Sequence, residues 1–207
     1  MNDENTEKAI LNAALEEFSE KGFHGARMQS IADRAGANKA LLHYYYRSKE
    51  QLYAKTLTLI SDAFRLAVNS KIRELATGDI RGLARVLATF VVEEAQKAPH
   101  SNILITELAV GGPRLKKMTP LITEALNGQQ DTVLVFIQRG IDAGKIKPWH
   151  PMKIFSCLMG MCWNIFLMAP MSDAFFEQTD TTRDNAFYED YIKLISEMAS
   201  SGLEQKG

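Results

Sequence analysis

The chain has 207 residues, 46% of them hydrophobic and 24% charged, with a formal net charge of -1. That is enough apolar residue for a sizeable core, and near-neutrality says nothing about an anionic partner until charge is followed along the chain. The distribution is uneven. Residues 1 to 20 carry one base (Lys8) against six acids, a net of -5, whereas residues 21 to 49 carry Lys21, Arg27, Arg34, Lys39, Arg47 and Lys49 against Asp33 alone, a net of +5. A short basic block is a candidate footprint for phosphates and equally a solvated face.

Cys157 and Cys162 are the only cysteines, and their spacing matches neither a CxxC redox pair nor a metal site. A polar, acidic start without a basic-then-apolar run, and cysteine usage that fits a reducing compartment, place the chain in the cytoplasm. Ile154 to Ser172 runs without a charge, but Ser156, Asn164 and Pro170 interrupt it; it reads as a helix buried on most sides, not as a membrane span.

Apolar residues recur at the helical period in almost every segment, so the expected fold class is all-α. In the first helix Ile10, Leu11, Ala14, Leu15 and Phe18 form one stripe, Gly22 stands where a left-handed cap is wanted, and Phe23 is expected to fold back on Phe18. A short second helix carries Met28, Ile31, Ala32 and Ala35 before Gly36 stops it, and a third fits between Asn38, a good N-cap, and Arg47. Ser48 with Gln51 is a capping-box pattern opening a long helix through Leu52, Phe64, Val68 and Ile72, closed off by Gly78. Further helices are expected at about Ile80–Lys97, Ser101–Val110, Pro120–Ala143, Pro151–Met168 and Arg183–Ser200.

Helices two and three, separated by Gly36 and Ala37, have the dimensions of a helix-turn-helix. With about 100° per residue and Leu42 set inward, Tyr46 also points inward, Ala40, His43 and Tyr44 point out, and Tyr45 lies on the flank with Lys39. An outward face of Lys, Ala, His and Tyr suits a DNA major groove, though an ordinary surface helix would look the same.

The stretches "ILNAALEEFSEKGF" and "SIADRAGANKALLHYYYRSKEQL", with the long helix after them, resemble the DNA-binding domain of the tetracycline-repressor (TetR) family of bacterial transcriptional regulators. The resemblance implies an N-terminal helix-turn-helix domain over 1–52 and a ligand-binding and dimerisation domain over 53–207. It implies double-stranded operator DNA and an unknown small-molecule inducer as partners, a homodimer formed through the last two helices, and no cofactor. Carried over by position, Asn38, Lys39, Ala40, Leu41, His43, Tyr44 and Tyr45 take the recognition-helix roles and Lys49 a phosphate contact. Ala26 and Arg27 stand where the family usually has threonines, so a cap is lost and Arg27 is expected to reach the DNA backbone from farther out. His43 replaces a common tyrosine. "GGPRL" and "RGIDAGKIKP" are similar to a branch that includes pyrimidine-sensing regulators, without naming an inducer.

No catalytic or metal constellation emerges: His24, His43, His100 and His150 are scattered, and HExxH and GxSxG are absent. The alternative to a DNA-binding regulator is a helical small-molecule-binding protein or enzyme without DNA binding. Dimerisation is expected through Ile154–Met168 together with Phe187, Tyr191, Leu194, Ile195 and Met198. An inducer pocket is expected where Cys157, Met161, Trp163 and Phe166 turn toward Phe64, Val68 and Phe90, with Asn164 or Glu107 as polar anchors; a packed core without a cavity is the competing reading.

Overall fold

The computed structural model describes residues 3–97, 120, 132–168 and 183–205, and every named element within them is a helix. Numbered in order, these are α1 (Asp3–Gly25), α2 (Met28–Arg34), α3 (Lys39–Tyr45), α4 (Lys49–Ile72), α5 (Ile80–Lys97), α6 (Thr132–Asp142), α7 (Pro151–Leu167) and α8 (Asn185–Leu203). The helix expected at Ser101–Val110, most of the first half of Pro120–Ala143, and Glu107 lie outside the described residues. The chain divides into two compact units, and the division falls inside α4 between Ala63 and Phe64. It comes later than Leu52 because Tyr53, Ala54 and Leu57 belong to the core of the first unit.

That first core joins Ile10, Ala14 and Phe18 of α1 to Ile31 and Ala32 of α2, Leu42 of α3, and Leu52 and Leu57 of α4. α1 is interrupted at Gly22, whose φ of +63° only glycine adopts without strain. The reversal stacks Phe23 on Phe18 at 6.2 Å between ring centroids, and Tyr53 meets both rings edge-on at 4.7 and 5.0 Å. α3 is capped as expected: the Leu41 amide donates to Asn38 Oδ1 at 2.7 Å. α4 opens with the Gln51 amide donating to Ser48 Oγ at 3.2 Å.

In the second unit α5 packs against α7 and α8, and α6 against α7. Ile80, Leu83, Leu87 and Val91 of α5 meet Val133 and Ile137 of α6, Ile154, Leu158 and Cys162 of α7, and Ile195 and Ala199 of α8. Those α7 residues recur every four positions, the spacing of a helix with one face to the core. No helix among the described residues is long and apolar enough to cross a membrane. α4 itself ends at Ile72, and a turn leads to Gly78 (φ +79°), after which Asp79 Oδ1 accepts from the Gly82 amide at 2.8 Å to start α5. Here the backbone runs close: a Cβ on Gly78 would lie 2.6 Å from Lys145 Cβ, and one on Gly140 would lie 3.0 Å from Gly78 Cα. Near the C-terminus Ile146 pairs with Glu204 in an antiparallel bridge.

Candidate nucleic-acid interface

α3 presents the arc that its period requires. Leu42 is fully buried, Ala40 and His43 are exposed, Tyr44 is 78% exposed, and Tyr45 is half-buried with its ring edge-on to Tyr44 at 5.5 Å. Asn38 and Lys39 are exposed and Leu41 half-buried. Since Asn38 Oδ1 is spent on the cap, only the amide NH2 remains for an outside acceptor. Tyr46 departs from the helical expectation in backbone, not in burial: α3 has ended, Tyr46 is extended (φ -133°, ψ 101°), and its ring still packs inward at 6% exposure. Its hydroxyl donates to Glu7 Oε1 at 2.9 Å.

The basic block is divided by its partners. Lys21 Nζ lies 2.9 Å from Glu17, and Arg34 binds Glu16 and Glu20 at 2.9 and 2.8 Å, so the acidic stretch of α1 neutralises two of the cations. Lys49 turns its ammonium onto the backbone, donating to the Ala26 carbonyl at 2.5 Å and the His24 carbonyl at 3.4 Å, with Nζ 4.7 Å above the Phe23 ring. This anchors the α1–α2 junction, a role the spacing did not disclose. Arg27, Lys39 and Arg47 are exposed and form no ion pair among the described residues.

Two residues not singled out in the sequence emerge. Glu17 is buried beneath α2 and accepts from Lys21 Nζ, Ser30 Oγ (2.8 Å) and the Arg27 amide (3.3 Å). Burial alone would raise its pKa, but the hydrogen bonds from Lys21, Ser30 and the Arg27 amide outweigh it and hold the carboxyl below its ordinary value. The signal was available: Ile10, Ala13, Ala14, Glu17 and Phe18 share one inward stripe. The second residue is Asn69, whose Oδ1 is buried with no hydrogen-bond partner among the described residues.

Of the pocket residues, Val68 is buried in the second core, and Phe90, Met161, Trp163 and Phe166 pack against it, the last two rings 6.4 Å apart. Cys157 and Asn164 are exposed, while Cys162 takes the inward position that Cys157 was expected to hold. The Phe64 side chain lies outside the described set. Gly160, Met161, Asn164, Tyr191, Leu194 and Met198 line a surface hollow of about 270 Å³ between α7 and α8. Among the described residues no three His, Cys, Asp or Glu side chains are grouped to hold a metal.

Residues 10–56 match the family model described as bacterial regulatory proteins, tetR family. The HTH-type transcriptional regulator RutR of Escherichia coli is 30% identical over 202 residues, 96% of this chain and 91% of that protein. The HTH-type transcriptional repressor NicS of Pseudomonas putida is 34% identical over 143 residues, 69% of this chain and 64% of that protein. A TetR family transcription regulator from Marinobacter aquaeolei superimposes with a TM-score of 0.72 at 19% identity over 99% of this chain and 98% of that one. FadR from Bacillus subtilis, in complex with stearoyl-CoA, gives 0.71 at 21% identity over 94% and 98%. The chain therefore belongs to the tetR family of bacterial regulatory proteins and is a DNA-binding transcriptional regulator. Its helix-turn-helix is α2 and α3.

Proposed function

We propose that the chain is a homodimeric cytoplasmic repressor whose α3 enters the operator major groove and which leaves DNA when a small molecule binds its second unit. The observation that carries this reading is the grouping, on α3 and its flanks, of exposed Ala40, His43 and Tyr44 with the unpaired cations Arg27, Lys39 and Arg47. His43 and Tyr44, with Lys39, Ala40 and Leu41, face the base edges; Arg27, Asn38, Tyr45 and Arg47 reach phosphates. Similarity to the repressor NicS supports the sign of regulation.

Dimerisation through α7 and α8 is supported by their apolar solvent face, where Leu194 and Met198 are 52% and 54% exposed beside the α7–α8 hollow. Two such helices per subunit form a four-helix seam. Binding successive major grooves sets the two α3 helices about 34 Å apart. The inducer site lies beside Val68, Phe90, Trp163 and Phe166, with the unpartnered Asn69 Oδ1 as a polar anchor for a mostly apolar or planar ligand. α4 is continuous from Lys49 to Ile72, so a ligand that displaces its second half changes that separation and disfavours the operator complex.

The test is a gel shift with the DNA upstream of the chain's own gene, repeated during metabolite titration followed by tryptophan emission in wild type and Trp163→Phe. By linkage, operator DNA must weaken the inducer by the same factor that the inducer weakens DNA. Equal inducer affinity with and without DNA would end the claim that this ligand is the switch.

A further inference from the structure

Glu17 is the only fully buried acidic side chain among the described residues. A carboxylate at an inward position of an amphipathic helix is expensive to desolvate, and an apolar side chain there would pack without that cost. Its hydrogen bonds show where the carboxylate acts. Lys21 comes from the same helix; Ser30 Oγ (2.8 Å), the Arg27 amide (3.3 Å) and Arg34 Nη2 (3.5 Å) come from α2 or the residue that opens it. Arg27 stands at the N-cap of α2, and its own side chain makes no capping bond. Glu17 thus supplies from α1 the acceptor that a threonine or serine would have supplied in place, and it adds a negative charge at the positive end of the helix. Freed from capping, the position can carry a long cation, and Arg27 is exposed with no acidic partner among the described residues.

We propose that Glu17 is a positioning residue for operator binding: its buried carboxylate fixes the start of α2 and so aims the Arg27 guanidinium at a DNA phosphate. The inference rests on the reading of the first unit as the operator-binding domain. Glu17 itself touches no DNA. Lys21 and Arg34 are held back from the phosphates by the same acidic cluster, which leaves Arg27 as the cation of the α1–α2 junction directed outward.

The experiment is a double-mutant cycle on the full chain, with operator affinity measured by fluorescence anisotropy at several salt concentrations for wild type, Glu17→Gln, Arg27→Ala and the double variant. Each single change is expected to weaken binding about tenfold and to lower the salt slope by about one. The double variant is expected to bind no more weakly than the worse single one, because both remove the same contact. Losses that multiply to about a hundredfold, or a Glu17→Gln protein that binds more weakly with an unchanged salt slope, would overturn the proposal, since a merely structural carboxylate lowers stability without altering the number of phosphates engaged. If Glu17→Gln fails to fold by circular dichroism, the cycle of Ser30→Ala with Arg27→Ala decides by the same criterion. A wild type without preference for its upstream DNA overturns the operator reading and this inference together; a specific wild type whose Glu17→Gln variant is unaltered overturns this inference alone.

Discussion

The Tyr46 hydroxyl donates to a Glu7 carboxylate oxygen at 2.9 Å, joining the residue that ends α3 to the first turns of α1 across 39 positions of chain. Burial pushes the Tyr46 phenol above its ordinary value, and Glu7 adds to the shift. Tyr46→Phe should cost about 1 kcal/mol by loss of the bond, and Tyr46→Ala about 3 kcal/mol by loss of the packed ring. A raised phenol pKa stabilises the fold below pH 10 and that contribution is lost as pH rises through the folded value, so the alkaline fall in wild-type stability should flatten in Tyr46→Phe. A Tyr46→Ala protein of unchanged stability and lost DNA binding would move this ring to the DNA face.

Lys49 and the exposed cations should separate in a salt titration. Lys49→Ala is expected to destabilise the first unit by about 1–2 kcal/mol, since it leaves the Ala26 carbonyl without its partner and bares the Phe23 ring. Its operator salt slope should match the wild type. Lys39→Ala and Arg47→Ala should each reduce the slope by about one with little change in melting temperature. A reduced slope for Lys49→Ala would return its ammonium to the phosphates.

His43 is exposed on the face of α3 without a hydrogen bond to hold it. His43→Ala should therefore alter preference at one operator position by about 1–3 kcal/mol while leaving nonspecific affinity in place. A uniform loss on all sequences would assign it to the backbone.

Acid should weaken the first unit through Glu17. Its folded pKa lies below the unfolded value of 4.5, so its contribution is present above about pH 4.5 and is lost as pH falls through the folded value. Glu17→Gln should be less stable at neutral pH and show a flatter acid limb. Parallel acid limbs in the two proteins would show that the carboxylate is no better stabilised folded than unfolded.

Leu194→Glu with Met198→Glu should convert a micromolar dimer to a monomer in sedimentation and abolish operator binding, since each side chain is half exposed on the α8 face. A dimer that survives both charges lies elsewhere.

The helical period alone places Leu42 inward and Ala40, His43 and Tyr44 outward, because a short helix on a small core has one face for each. Gly22 and the Phe18–Phe23 contact were legible for a related reason, a cap that only a few residues satisfy. What the period does not contain is pairing across helices. Lys21, Arg34 and Lys49 look like DNA cations in one dimension, and tertiary packing turns them onto Glu17, Glu16, Glu20 and the Ala26 carbonyl. In α7 nearly every position is apolar, so the pattern has too little contrast to choose between Cys157 and Cys162. The structure buries Cys162 and lifts its thiol to about 12 through desolvation, leaving Cys157 in solvent.

The close passage of Gly78 and Gly140 bears on how this protein can diversify. A methyl group on Gly140 would meet Ile146 at 2.5 Å and the Gly78 backbone at 3.0 Å, and one on Gly78 would meet Lys145 at a φ that already disfavours it. In a saturation library scored for folding, both columns should be nearly empty, although neither residue approaches the candidate operator face. Lineages that acquire new inducers by reshaping the second unit would then have to work around this junction, keeping two glycines fixed while the side chains beside them drift.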